Sequence, residues 1–460
     1  MLSDAANVAG RKIAFRISPM VVACRRPILL PLLALLLAAG LGGTANANWV
    51  FVTVGSPFRL DYSYVGGNQP GGQSTPFLAA KQPGGLIVGW VNTRSSTDIR
   101  PFAHYFSDGG SPSSSTPIQL GAATGPTAGA LATAAFPLSF ADGSALVLFA
   151  ADRKNAAAAA KKDIFGQPLS ASQPYSEVGL PASVNQVKPN AQDQVMATRL
   201  SNGNVMAVFL SHSGAASTFD LKGRVVNKNG VGVANEKFVT AATTGAQSLT
   251  SIAPLAAGKS VIAYVVRTGS GASLKQEVRV QRLDATGGRV GDSTLLKSTT
   301  GVNTYGGAGV AALSGGRFLA AWFIAGPSGT AILRGRVFPA AGVPGAPFTI
   351  GTSRISPSAL TAPKIAVSSV APTQGQTVIV TEGFAGGLYS LEAWLLNSAN
   401  ARLAGPKKIV AGSASAKPSA SLIQLLSGRF IVSWTQRAAS ATSNRIFAQI
   451  FFPNDCVRGC

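Results

Sequence analysis

The chain has 460 residues, 46% of them apolar, which is long enough for one large core or several small ones. Only 12% of the residues are charged, about half the usual share, so long amphipathic helices rich in Glu and Lys are disfavoured. With 52 Gly and 27 Pro, short strands joined by turns fit the composition better, and the formal net charge of +22 favours anionic partners.

The first 47 residues have the composition of a secretory signal peptide. Five basic residues precede the apolar run PILLPLLALLLAAGLGG, and the small-residue sequence TANAN follows it. We interpret residues 1–47 as this signal, with the exported chain starting at Asn48 and located outside the cell, in the periplasm or at the cell surface. A membrane anchor is the alternative, which the shortness of the run disfavours. Met20 begins a tighter version of the signal, so Met1 and Met20 are both candidate initiators.

A spare strand follows the signal. The sequence SPFRL (Ser56 to Leu60) resembles APFTI and TPIQL, which end two of the repeated units described next. The last of those units lacks such an ending. We therefore predict that residues near Pro57 to Asp61 complete the last unit as its fourth strand, which joins the chain ends and removes a bare strand edge.

A seven-residue phrase, which starts with Gly and ends a short apolar run, recurs every 53 to 60 residues along the chain. An apolar stretch precedes each copy, two further short apolar phrases follow most copies, and Gly- and Pro-rich turns separate them. Each unit is therefore interpreted as four short strands. The seven copies end at Trp90, Phe149, Phe209, Tyr264, Trp322, Thr381 and Trp434.

Seven such units predict an all-β fold, a seven-bladed β-propeller of four-stranded blades over residues 48–455, with an N-terminal strand closing the last blade. A sheet of this size hides its apolar face only by packing against its neighbours around an axis, and the phrase-ending residues are expected to fill the space between blades. A β-solenoid or two β-sandwiches are the alternatives; a solenoid rung is usually shorter, and sandwiches would not repeat seven times.

Phrases such as GRFLAAW and GRFIVSW resemble the repeats of uncharacterised secreted bacterial β-propeller proteins, over about residues 56–452. The resemblance implies the fold and is nearly silent on activity. Better-known propeller signatures are missing from the sequence, including a Trp-Asp dipeptide at the strand ends, the box Ser-x-Asp-x-Gly-x-Thr-Trp and the calcium loop Asp-x-Asp-x-Asp-Gly.

The last five residues, CVRGC, form a C-terminal tail. Its two residues Cys456 and Cys460 are the only cysteines left after signal removal, and an oxidising compartment would allow a disulfide between them. A metal site there would need more ligands, and no His lies nearby.

Residues suited to catalysis or metal binding are scarce. The two histidines, His104 and His212, have no second His at ligand spacing, so the sequence predicts neither a His-rich metal site nor a cofactor. Glycoside hydrolysis needs two carboxylates that face one sugar bond, and Glu382 with Glu392 is the sharpest such hypothesis; a solvated pair is the competing interpretation.

Arg224 and Arg336 occupy the same position of the second apolar phrase, where other units carry Gln. They are possible ligand-binding residues, since a ring of such donors would suit carboxylate or phosphate groups. Simple alternation of polar residues on half-exposed strands also accounts for them.

Together these features predict a secreted or cell-envelope propeller that acts as a binding or structural module. Without residues 1–47 the chain carries 34 basic and 16 acidic residues, so anionic polysaccharide or envelope proteins are the expected partners, with no specific nucleic acid and no transmembrane segment. The alternative is a carbohydrate-active hydrolase or lyase with an acidic site at one mouth of the channel.

Overall fold

The computed structural model describes fifteen stretches of the chain. The predicted signal peptide and the two C-terminal cysteines lie outside them. Within the described stretches, no helix is long and apolar enough to cross a membrane. The stretches are residues 49–61, 72–95, 98–121, 132–152, 162–187, 191–212, 219–241, 245–301, 306–326, 330–353, 361–370, 373–385, 388–410, 419–437 and 444–455.

Strands form seven sheets of four, which are numbered here as blades in chain order. Blades 1 and 2 contain β2 (Gly72–Ala80), β3 (Leu86–Ser95), β4 (Asp98–Phe106) and β5 (Ile118–Gln119), then β6 (Ala135–Ser139), β7 (Ala145–Asp152), β8 (Lys162–Leu169) and β9 (Ala182–Ser183). Blades 3 and 4 contain β10 (Gln192–Arg199), β11 (Val205–His212), β12 (Phe219–Val226) and β13 (Lys237–Phe238), then β14 (Ala246–Pro254), β15 (Ser260–Thr268), β16 (Lys275–Leu283) and β17 (Arg289–Thr300).

The remaining blades follow the same order. Blades 5 and 6 contain β18 (Ala308–Ala312), β19 (Phe318–Ala325), β20 (Ala331–Phe338) and β21 (Phe348–Ser353), then β22 (Lys364–Val367), β23 (Thr377–Ala385), β24 (Leu388–Leu396) and β25 (Arg402–Val410). Blade 7 contains β26 (Ala420–Gln424), β27 (Phe430–Arg437), β28 (Asn444–Asp455) and β1 (Trp49–Arg59). Within the described residues, three short 3-10 helices lie at Ala256–Gly258, Gly271–Ser273 and Ser314–Gly316.

The seven blades close into a ring, as predicted. We call the strands of each blade A to D in the order of the sheet. Every A strand contacts the A strand of the next blade, and β26 of blade 7 contacts β2 of blade 1, so the A strands surround the axis. The fold is therefore a seven-bladed β-propeller.

The core is divided among the gaps between blades. Seven clusters of buried apolar side chains each join two consecutive blades, including blade 7 with blade 1. The predicted phrase-ending aromatic residues all lie in these clusters, between their own blade and the preceding one, and none is more than 3% exposed. They are Trp90, Phe149, Phe209, Tyr264, Trp322 and Trp434.

In blade 6, a residue of a different strand fills the gap to the preceding blade. Its phrase ends in Thr381, and the large side chain comes instead from Trp394 on the neighbouring strand β24, which is fully buried between blades 5 and 6. The Trp394 indole N–H donates to the Thr381 hydroxyl at 3.2 Å. Gly351 of blade 5 makes room, because a Cβ there would overlap the indole ring.

The predicted N-terminal closure is confirmed, and the closing strand is longer than expected. Strand β1 starts at Trp49 and pairs antiparallel with β28, with a register shift between Val54 and Phe58. The Phe51 ring is buried edge-on against Phe451, with the ring centroids 5.6 Å apart. Both ends of the described chain thus lie in blade 7.

The antiparallel order defines two faces of the ring. In each blade the A and C strands run in the same direction, so the A–B and C–D connections lie at one end, which we call the lower face. The B–C connections and the connections between blades lie at the other end, the upper face. Residues near the start of an A strand therefore lie near the upper face.

Candidate functional site

The recurring polar position of the second apolar phrase has a structural role in six blades. There a His, Gln or Arg side chain on strand C donates a hydrogen bond to a backbone carbonyl of the following C–D connection or D strand, at 2.8–3.3 Å. The six residues are His104, Gln167, Arg224, Gln281, Arg336 and Gln449, and Trp394 occupies this position in blade 6.

Arg224 and Arg336 belong to this set, so both lie on the third strand of their blades rather than on the strands that surround the axis. The Arg224 guanidinium donates to the carbonyls of Ala234 and Val184 at 3.0 and 2.9 Å. Arg336 donates to Gly345 at 2.8 Å and lies over the Phe338 ring. One donor of each guanidinium therefore attaches a C–D connection to the sheet, and a second donor of Arg224 bonds to the neighbouring blade.

The carboxylates of Glu382 and Glu392 do not face each other. Thr381 pairs with Glu392 across β23 and β24, whereas Glu382 pairs with Leu391. Paired residues project to the same side of a sheet and successive residues to opposite sides, so the two carboxylates lie on opposite faces of blade 6. Glu392 accepts a hydrogen bond from the Ser353 hydroxyl of blade 5 at 2.6 Å.

The two histidines are also far from each other in the fold. His104 is buried in blade 1, where desolvation lowers its pKa and its Nε2 lies 3.0 Å from the Ser114 carbonyl oxygen. His212 ends β11 in blade 3 and lies edge-on to Phe219. The described residues contain no group of three or more His, Cys, Asp or Glu able to hold a metal ion.

A cavity of about 330 Å³ lies at the axis on the side of blades 1 to 4. The A strands of blades 1, 3 and 4 and the residues that precede the A strand of blade 2 form its wall. Its lining is mostly apolar, and Asp193 is the one charged residue in it. The lining residues are Phe77, Thr133, Ala134, Asp193, Gln194, Val195, Met196 and Leu249.

Asp193 is held firmly at the edge of this cavity. Its carboxylate accepts a hydrogen bond from the Thr133 hydroxyl and another from the Gln194 backbone N–H at 2.8 Å, and the Lys162 ammonium lies 3.6 Å away. The position near the start of β10 places the group towards the upper face. Sequence reasoning missed it, because nothing in the repeat distinguishes an Asp at this point from a turn residue.

The backbone around Asp193 is irregular. Gln194 has φ of 47°, a left-handed conformation that is uncommon for a residue other than Gly, and the register shifts between Asp193 and Met196. Strands β2 and β14, which line the same cavity, also carry register shifts, between Ser74 and Phe77 and between Leu249 and Ser251. Bulges of this kind are frequent next to binding and catalytic sites, so the axial cavity is the candidate functional site.

Comparisons with known proteins support the fold. No protein family profile matches the sequence, and no curated protein matches it. Among solved structures, the polysaccharide lyase Uly1 is 11% identical with a TM-score of 0.51, over 85% of this chain and 92% of that one. An ulvan lyase from a new polysaccharide lyase family is 10% identical with a TM-score of 0.50, over 85% and 95%. At such identities the similarity concerns the propeller fold alone.

Proposed function

We propose that this protein is exported and acts as a binding module for anionic polymers, with envelope polysaccharide as the first candidate ligand. The proposal rests on the excess of basic side chains over acidic ones and on the ion pairs between them. Many carboxylates of the described residues already pair with a cation, and basic residues outnumber acidic ones by 34 to 16 without residues 1–47, so the positive charge exceeds what these pairs neutralise. The closest pairs are Asp61–Arg59, Asp98–Arg100, Asp142–Lys228, Glu236–Lys222 and Glu277 with Lys275 and Arg279.

Exposed cations are concentrated on the outermost strand of blade 6. Arg402, Lys407 and Lys408 on β25 are all exposed. Lys407 and Lys408 are successive residues and project to opposite sides of this strand, so cations border both of its sides, which suits a flexible chain of carboxylate or sulfate groups better than one small anion. Lysines also protect an edge strand from pairing with other chains, and this protection is compatible with polymer binding.

The test measures binding to polygalacturonate, with neutral dextran as the comparison, at low and high salt. We expect binding to polygalacturonate alone, weakening with salt because the charges are exposed. Replacing Arg402, Lys407 and Lys408 together by Gln should weaken it about tenfold, at roughly 0.5 kcal/mol per charge. The control Lys228→Gln, which removes a cation already paired with Asp142, should change affinity less than about twofold.

Absence of binding to polygalacturonate at low salt would contradict the proposal. Equal affinity of the triple variant and the unaltered protein would contradict the role of β25. Envelope proteins with acidic surfaces are the second partner class that the same charge admits.

The axial cavity favours a second candidate function, a polysaccharide lyase or hydrolase. Asp193, the strained Gln194 and the bulged strands are the supporting observations, together with the propeller fold shared with two polysaccharide lyases. Incubation with uronic acid polymers would reveal lyase activity as ultraviolet absorbance of unsaturated products and hydrolysis as new reducing ends. Activity that survives Asp193→Asn would exclude this site.

A further inference from the structure

Large apolar side chains are exposed in a row on the lower face of blades 2 to 5. Each belongs to a C–D connection or to the first residues of a D strand. Single exposed apolar residues are ordinary, but a row in four consecutive blades marks a binding surface. The six are Val178, Leu180, Val231, Val233, Val290 and Val343, and they are 41% to 86% exposed.

Hydrogen bonds between blades hold these connections side by side. The Lys237 ammonium of blade 3 donates to the Thr286 hydroxyl in the C–D connection of blade 4, at 2.7 Å. Arg282 of blade 4 donates to the carbonyl of Ala340 in the next connection, at 2.9 Å. Each bond joins one blade to the next at a C–D connection. We call the exposed apolar residues of these neighbouring connections the strip.

Blade 2 is joined to the strip by an ion pair. Lys228, in the C–D connection of blade 3, lies 2.7 Å from the carboxylate of Asp142, in the A–B turn of blade 2. Arg224 of blade 3 also donates to Val184 of blade 2. These two contacts place the C–D connection of blade 3 beside blade 2, whose own C–D connection carries Val178 and Leu180.

Exposed cations lie on the same lower face as these apolar residues. Arg199 and Lys259 stand at the A–B turns of blades 3 and 4, and Arg289 starts β17 beside Val290; all three are exposed. Two acidic residues of the lower face are engaged: Asp142, in the A–B turn of blade 2, pairs with Lys228, and Asp284, in the C–D connection of blade 4, accepts hydrogen bonds from Thr286 and Gly288. Asp292 is an exposed acidic residue on β17, so the strip carries an excess of positive charge but is not purely basic.

We propose that the lower face of blades 2 to 5 docks on an anionic lipid bilayer, with the apolar side chains entering the interfacial region and the cations contacting phosphate headgroups. Charge complementarity explains the cations, and entry into an apolar phase would remove the six exposed side chains from water, whereas a polysaccharide would leave them hydrated. The docking is peripheral and reversible. It is separate from polymer binding by β25 of blade 6.

The experiment is co-sedimentation with vesicles of phosphatidylcholine alone or mixed in equal parts with phosphatidylglycerol. The full chain is used for every variant, so that any contribution of its first residues is common to all. We expect binding to the anionic vesicles and little to the neutral ones. Leu180→Ser, Val231→Ser and Val343→Ser combined should lower partitioning at least about tenfold. A second variant, Arg289→Glu combined with Lys259→Glu, should also lower partitioning to the anionic vesicles and should reduce the dependence of this partitioning on salt.

Leu295→Ser is the matched control, because Leu295 is 42% exposed but lies midway along β17, opposite Arg279, rather than at the lower face. It should leave partitioning unchanged, and circular dichroism should show every variant folded. Failure to bind anionic vesicles would overturn the proposal, as would equal partitioning of the serine triple variant and the unaltered protein. If the serine triple variant loses vesicle binding but keeps polygalacturonate binding, this supports separate surfaces for lipid and polymer.

Discussion

The N-terminal closure of the ring can be tested by the single substitution Phe51→Ala. The Phe51 side chain is 7% exposed and lies in the cluster between blades 6 and 7, edge-on to Phe451. Removing a buried Phe ring costs about 3–5 kcal/mol, of which roughly 1 kcal/mol belongs to the aromatic pair. We therefore expect the free energy of unfolding to fall by about 4 kcal/mol.

Urea unfolding followed by circular dichroism measures this change. Thr53→Ala is the control on the same strand, because Thr53 is exposed and its replacement should change the free energy of unfolding by less than about 0.5 kcal/mol. A loss below about 1 kcal/mol for Phe51→Ala, or equal losses for both variants, would refute the argument that β1 is packed into blade 7.

Three further predictions concern single positions. Thr381→Val removes the acceptor of the buried Trp394 indole N–H, so urea unfolding should show a loss of about 1–3 kcal/mol; no loss would mean that the bond contributes nothing. Arg224→Gln should lower stability by a similar amount without weakening polygalacturonate binding, and weakened binding would make Arg224 a ligand-binding residue. Burial raises the pKa of Asp61 above its ordinary value of 3.8, so stability present below that pH is lost as pH rises through the folded pKa. Asp61→Asn should remove this loss from unfolding curves measured across pH, and an unchanged pH dependence would exclude Asp61 as its source.

The architecture was predictable because its signals are local and repeated. A Gly turn before an apolar strand appears seven times, and each copy ends where a gap between blades must be filled. The closing strand was predictable as well, since SPFRL resembles the D strands of other blades. Its true length was not, because Trp49 to Val54 pair with β28 in a stretch that has no counterpart among the repeats.

Features that depend on contacts between strands could not be predicted from the sequence. Thr381 breaks the aromatic pattern, and only the position of β24 beside β23 brings the compensating Trp394 into the same gap. From the sequence alone, Arg224 and Arg336 fit a ligand-binding ring and a structural role equally well. The structural role becomes visible only when the C–D connections are seen to fold back and bring their carbonyls to the two guanidinium groups. Asp193 becomes notable only once β10 is known to surround the axis.

The pairing of β1 with β28 also sets an order of events during synthesis. The Gln449 side chain on β28 bonds to the carbonyl of Val54 on β1, a contact that spans 395 positions. Strand β1, the first strand of the described residues, therefore has no partner until β28 has been translated. Closing so long a loop costs little more entropy than closing a shorter one, because the cost grows only with the logarithm of length. The time at which β28 is synthesised, rather than the entropy of the long loop, therefore sets when blade 7 can be completed.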